Sequence, residues 1–125
     1  MKFLMIGCGG FIGAIMRYGL SVWVHRVVSG FFPYGTLAVN AAGCLVIGCL
    51  MTLIEKGQPI PENLGFFLLV GLLGAFTTFS TFGWETFALI NRGEFKLGVY
   101  NIFLNMALGL GALVVGRVSI KLIFT

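Results

Sequence analysis

Asn40, the hydroxyl run Thr77, Thr78, Ser80 and Thr81, the pair Asn101 and Asn105, and Arg17 all lie within long apolar stretches of the chain. Polar and ionisable groups are costly in hydrocarbon, and in a membrane-spanning segment they mark ion or substrate pathways. Phe76, Phe79 and Phe82 recur at three-residue spacing through the hydroxyl run. Ring edges carry partial positive charge, and amide N–H and hydroxyl groups donate hydrogen bonds, so this combination suits a small anion. Gly74 and the β-branched threonines make the same segment a candidate helix break. A break frees backbone carbonyls, which suit a small cation such as Na⁺. Asn101 and Asn105 are four residues apart and share one helix face. Plainer roles exist for each group: Arg17 as a side chain reaching an interface, Asn40 as helix–helix glue, the phenylalanines as packing. The interleaving of rings with hydroxyls on a breakable helix favours an ion pathway.

The constellations of enzymes are missing. The sequence has no Asp; its four acidic residues are Glu55, Glu62, Glu85 and Glu94, and its single histidine, His25, falls near a helix end. Paired carboxylates, a zinc-protease motif and a phosphate loop are absent from it. The segment Gly7-Cys8-Gly9-Gly10-Phe11-Ile12 departs from the dinucleotide fingerprint at its sixth position. Cys8, Cys44 and Cys49 sit in apolar runs without metal-site spacing and read as small helix residues. The start of the chain faintly resembles a lipoprotein leader, but the run before Cys8 is short and the apolar stretch continues past it.

Composition supplies the elements that must hold these groups. Of 125 residues, 58% are hydrophobic and 10% charged, against roughly 25% charged in an ordinary soluble domain. The mean hydropathy is +1.04. A helix needs about 20 residues to cross a bilayer core, so four crossings with short loops use nearly the whole chain. The spacing predicts helices over about 2–28, 36–54, 62–90 and 95–124. Ser29-Gly30 and Pro33-Tyr34-Gly35 form the first loop, Glu55 to Pro61 the second, and Asn91 to Glu94 the third. The third helix is too long to be uniform. Nineteen glycines, mostly intrahelical, permit close backbone approach, with Gly9 and Gly13 forming a GxxxG pair.

Basic residues stand singly near helix ends, so no nucleic-acid partner is expected. With four crossings, Lys2, Lys56, Arg117 and Lys121 share one side, and Arg26, Arg92 and Lys96 the other. Lys/Arg asymmetry sets orientation. Near balance therefore suggests insertion both ways and an antiparallel pair of chains.

The segments Gly35-Thr36-Leu37-Ala38-Val39-Asn40 and Gly71-Leu72-Leu73-Gly74-Ala75-Phe76-Thr77-Thr78-Phe79-Ser80-Thr81-Phe82 resemble the signature segments of the CrcB/Fluc fluoride channels. Gly10-Phe11-Ile12-Gly13 with Arg17-Tyr18 is similar to that family's first helix. The resemblance implies an all-α membrane protein, with four transmembrane helices per subunit, helix 3 broken mid-membrane, and an antiparallel dual-topology homodimer in the cell membrane. It implies passive export of fluoride from the cytoplasm. It implies a structural Na⁺ at the dimer centre on the carbonyls of Gly74 and Thr77, and a pore of Asn40, Phe79, Phe82, Ser80 and Thr81. Arg17 and Glu85 match further family positions and, with Asn101 and Asn105, are candidates for the pore or its vestibule. Ala75 and Gly83 depart from the family pattern, and helix 4 presents Asn101, Asn105, Gly109 and Ala112 where hydroxyls are usual, which leaves the part played by Asn101 and Asn105 open. A small multidrug-resistance transporter shares the length, helix count and dual topology. It needs a carboxylate in helix 1, where this chain has Arg17. A structural subunit of a larger complex is a third reading.

Overall fold

The computed structural model describes residues 1–124, and these are helical almost throughout. Helix α1 runs Lys2–Val27 and α2 Tyr34–Glu55. The third span begins with α3, Glu62–Gly65. It continues as a π-helix over Phe66–Leu73 and a last turn α4, Gly74–Phe76, and resumes as α5, Phe79–Asn91. Helix α6, Phe95–Ile123, completes the described chain. Four spans are long and apolar enough to cross a membrane: Lys2–Val27, Tyr34–Glu55, Glu62–Asn91 and Phe95–Ile123. Tyr34 and Gly35, expected in the first loop, instead open α2 directly after Pro33. Gly57 and Gly93, at φ 75° and 83°, make the two tight reversals that follow α2 and α5.

Glycines set the packing. A Cβ on Gly9 would overlap the Phe67 carbonyl oxygen, and one on Gly13 the Leu72 carbonyl oxygen. Gly71 approaches α1 from the other side, against the Ile6 carbonyl and Gly9. Thus α1 lies backbone to backbone on the π-helix. In the same way α2 lies on α6, Gly48 meeting Leu113 and Gly116 meeting Leu45. Lipid supplies no hydrophobic drive between helices, so such contact is what holds spans together. Each glycine-lined pair carries an ion pair at one end, Lys2–Glu62 at 2.7 Å and Glu55–Arg117 at 2.8 Å. Both pairs are exposed and contribute little beside the packing.

Large apolar side chains point outward from the single chain, while the deeply buried side chains include Asn101, Thr52 and Thr36. This inversion of the soluble pattern is what a hydrocarbon solvent selects. Thr77 (φ −77°, ψ 156°) and Thr78 (φ −148°, ψ 118°) are extended between α4 and α5. They fall at the middle of the 62–91 span, where Asn40 and the Thr81 hydroxyl close on them.

Candidate functional site

Two extended residues deprive their neighbours of helical partners. The Thr78 N–H, which an unbroken helix would direct at the Gly74 carbonyl, donates to Asn40 Oδ1 at 2.9 Å. The Thr81 N–H, which would close on the Thr77 carbonyl, donates to Thr78 Oγ1 at 3.2 Å. Thr78 is therefore the N-cap of α5, and its hydroxyl also donates to Thr81 Oγ1 at 3.0 Å. The Gly74 and Thr77 carbonyls, named by the family resemblance, are two of the four from Gly74 to Thr77 that the break leaves without an i+4 helical donor; their own donors go to Asn40 and Thr78. Thr77 itself turns back to the end of the π-helix, its N–H and hydroxyl both donating to the Leu73 carbonyl.

Asn40 holds Thr78 from α2 with both ends of its amide. Besides accepting the Thr78 N–H, it donates through Nδ2 to the Thr78 carbonyl at 3.2 Å and to Asn105 Oδ1 at 3.1 Å. Gly43, nearly one turn further along α2, makes room for this approach: a Cβ there would overlap Thr77 Cγ2. Both amide hydrogens of Asn40 are thus committed within the protein. An anion at Asn40 must displace a carbonyl oxygen to reach them.

A cavity of about 350 Å³ opens beside the extended pair, bordered by Asn40, Thr77, Thr78, Phe79, Phe82 and Asn105. Gly74 also touches it. The Phe79 and Phe82 rings are 5.6 Å apart and tilted by 56°. Phe82 is buried, whereas Phe79 is 78% exposed in the single chain. A second cavity of about 230 Å³ lies across Thr78, which both share; Arg17, Tyr18, Ser21, Thr36 and Thr81 line it. The Arg17 guanidinium is the cation of this second space. Ser80 is exposed, with its hydroxyl 3.4 Å from that of Thr78.

Glu85 sits apart from the Asn40 cavity. Its Oε1 accepts the Thr36 hydroxyl at 2.7 Å, and its Oε2 is buried without a partner among the described residues. Through Thr36 it adjoins the Arg17 cavity, and it also borders a small space with Trp84 and Arg92. Asn101 is 0% exposed. It lies behind Asn105 rather than on the cavity, and its Nδ2 donates to Thr86 Oγ1 at 2.9 Å. The structure therefore brings Gly74, Thr77, Asn40, Phe79, Phe82 and Asn105 to one space and Arg17 and Thr81 to its neighbour. It leaves Glu85 and Asn101 off the first.

Sequence reasoning passed over Thr36 and Thr86 and gave Thr78 no part of its own. Thr78 was one hydroxyl in a run; its position as cap follows only from the start of α5. Thr36 and Thr86 are single hydroxyls in apolar surroundings, and Thr86 back-bonds to the Phe82 carbonyl at 2.8 Å as intrahelical threonines do. The spacing of Thr86 four residues after Phe82 was visible, but not that Asn101 faces it.

The comparisons with known proteins agree along nearly all of the chain. A family model described as CrcB-like protein, Camphor Resistance (CrcB), matches residues 4–117. A protein of Clostridium novyi (strain NT) named fluoride-specific ion channel FluC is 40% identical over 121 residues, covering 97% of this chain and 94% of its own length. Proteins of the same name from Desulforapulum autotrophicum and Solibacter usitatus are each 43% identical. The first match covers 98% of both chains; the second covers 90% of this chain and 92% of its own.

Replacing Asn40 by Leu removes every side-chain partner of the Thr78 peptide groups at nearly constant volume. An unpaired buried polar group costs about 1–3 kcal/mol. Amide hydrogen exchange at Thr78 in detergent-solubilised Asn40→Leu is expected to be much faster than in the wild type. Exchange at the Gly98 N–H, held by the Glu94 carbonyl at the start of α6, should be unchanged. Equal protection of Thr78 in both proteins would show that Asn40 is not its holder.

Proposed function

The chain belongs to the CrcB family, and on that premise we propose that it is a fluoride-specific ion channel of the cell membrane. It releases fluoride passively from the cytoplasm and so lowers its toxicity. The observation that carries this reading is the Asn40 cavity at the start of α5, where anion-favouring groups of three kinds converge. The first turn of α5 offers backbone N–H groups and the positive end of a helix dipole. The tilted Phe79 and Phe82 rings offer positive edges. Asn40 offers amide hydrogens that a charged acceptor takes from neutral carbonyl oxygens, because hydrogen bonds to ions are the stronger. Fluoride is small and strongly hydrated, so only such close donors replace its water. Arg17, in the adjoining cavity with Thr81, raises the potential for anions and opposes cations. Ser80 and Thr81 continue the donor surface away from the rings.

The working unit in this reading is an antiparallel homodimer. Gly74, Phe79, Ser80 and Thr81 are exposed on the single chain, yet they surround a mid-membrane helix break. Irregular backbone at that depth is tolerated only inside protein or beside water. A second copy covers it. An antiparallel arrangement is supported by the basic residues. Four Lys/Arg on one side against three on the other leave neither side commanding the orientation. One ring from each subunit then borders each of two pores.

A structural Na⁺ fits the same break. The Gly74 and Thr77 carbonyls have lost their helical donors to Asn40 and Thr78, and the end of α4 is the negative pole of its dipole. Such carbonyls are hard oxygen ligands, and with those of a second subunit they hold a small cation. Bound there, the ion supplies fixed positive charge at the centre of the dimer. The chain's own part is to keep the two peptide oxygens turned out of the helix.

Flux through purified protein tests the channel. Proteoliposomes read with a fluoride electrode should release fluoride without a proton gradient. Asn40→Asp, which sets oxygen against both the Thr78 carbonyl and Asn105 Oδ1, should nearly abolish release. Phe79→Ile and Phe82→Ile should reduce it strongly with dimers intact, because they keep apolar volume and lose the ring edge. Wild-type release by a folded Asn40→Asp dimer would place the pathway elsewhere.

Orientation is checked with single cysteines placed at exposed loop positions on a background lacking Cys8, Cys44 and Cys49. Comparable labelling from both faces of the membrane is expected. Labelling from one face alone would rule out dual insertion.

Exchange of Na⁺ for a bulky organic cation is expected to lower both fluoride release and the melting temperature of the dimer, with Na⁺ restoring each. Insensitivity of both, with the ion shown by elemental analysis to have left, would remove the sodium site from this account.

A further inference from the structure

Five hydrogen bonds of a single direction join Thr78 to Phe82 by way of two other helices. The Thr78 N–H donates to Asn40 Oδ1. Asn40 Nδ2 donates to Asn105 Oδ1 at 3.1 Å, and Asn105 Nδ2 to Asn101 Oδ1 at 2.9 Å. Asn101 Nδ2 donates to Thr86 Oγ1 at 2.9 Å, and the Thr86 hydroxyl to the Phe82 carbonyl at 2.8 Å. The path leaves α5 at its cap, crosses α2 and α6, and returns to α5 one turn in. Thr78, Asn105, Asn101 and Thr86 are all buried.

Both ends of the path are backbone groups, a donor at Thr78 and an acceptor at Phe82, and neither can exchange roles. That fixes every amide between them. A 180° turn of Asn40 or Asn105 would set donor against donor on one side and acceptor against acceptor on the other, and a turn of Asn101 would set donor against donor at Asn105 and draw the Thr86 hydroxyl off the Phe82 carbonyl. The second amide hydrogens of Asn40 and Asn105 are also used, on the Thr78 and Asn101 carbonyls. Asn101 and Thr86 do not line the Asn40 cavity, so nothing in the pathway reading employs them.

We propose that Asn105, Asn101 and Thr86 are positioning residues that set the amide orientation of Asn40 and tie the Phe82 turn to the start of α5. The inference rests on the reading of the Asn40 cavity as a fluoride pathway. Members of a hydrogen-bond chain polarise one another in a medium of low dielectric. Loss of the last link is therefore felt at Asn40, although Thr86 does not touch it. A flipped Asn40 would turn its oxygen toward the Thr78 carbonyl and release the cap of α5.

The test separates the hydroxyl of Thr86 from its bulk. Thr86→Val keeps the volume and removes the hydroxyl; Thr86→Ser keeps the hydroxyl and loses a methyl group. Fluoride release from proteoliposomes, per folded protein counted by gel filtration, should fall about tenfold in Thr86→Val and stay within about twofold of wild type in Thr86→Ser. The reverse order is what a packing role gives and would overturn the proposal. A second measurement needs no variant. In detergent-solubilised wild type, the side-chain amide protons of Asn40 and Asn105 should exchange with solvent as slowly as backbone amides inside α6; rapid exchange would overturn it too. Wild type that passes no fluoride at all would instead sink the pathway reading, and slow amide exchange would still report an intact relay.

Discussion

A peptide group in hydrocarbon must find a hydrogen-bond partner within the protein, because no water is there to supply one. Each failure costs several kcal/mol. At Thr77 and Thr78 the chain leaves the helix in the middle of its third span, and the interior answers that demand. Asn40 takes the N–H and the carbonyl of Thr78 from another helix. The Thr78 hydroxyl takes the Thr81 N–H from its own. What remains are carbonyls at the end of α4 and peptide donors at the start of α5. One extended pair of residues thus creates a cation-seeking pole and an anion-seeking pole within a few residues of each other.

Short side chains can meet these demands only if the helices come close. An asparagine reaches across one hydrogen bond from its backbone, so the amides of α2 and α6 must face each other at near contact. Glycines make that possible. Gly48 and Gly116 set α2 directly on α6, and Gly43 admits the Thr77 methyl group. On the opposite flank, Gly9, Gly13 and Gly71 seat α1 on the π-helix. The glycines and the asparagines are therefore one design: the first set the distance and the second use it.

Conduction places opposite requirements on the same groups. A donor that is to replace fluoride's water must be held still, yet it must also be given up by its internal partner when the ion arrives. In the proposed pathway the two-hydrogen commitment of Asn40 would meet both, since neutral carbonyl oxygens hold the amide in place and would yield to a charged acceptor. In the proposed pathway Arg17 would act at longer range, from the neighbouring cavity that it lines, which suits a guanidinium that must attract anions without capturing one.

The amino-acid sequence by itself determined the four spans and their short loops. Both depend on runs of apolar residues and on Gly, Pro and charged punctuation, all local properties. It also singled out Asn40, the hydroxyl run and the Asn101–Asn105 pair, because polar residues in apolar stretches stand out wherever they fold. Partners were another matter. Asn40 meets Thr78 38 positions away and Asn105 65 away, and helical periodicity says nothing about which faces of separate helices meet. Only the tertiary structure decided that Asn101 is sealed behind Asn105 and that Glu85 pairs with Thr36 away from the rings. Thr86 carried no sequence signal beyond its spacing, because a threonine bonded to its own helix looks the same whether or not an asparagine stands opposite it. The hydrogen bonds that matter here are made between helices, and their geometry exists only once the glycines have brought those helices together.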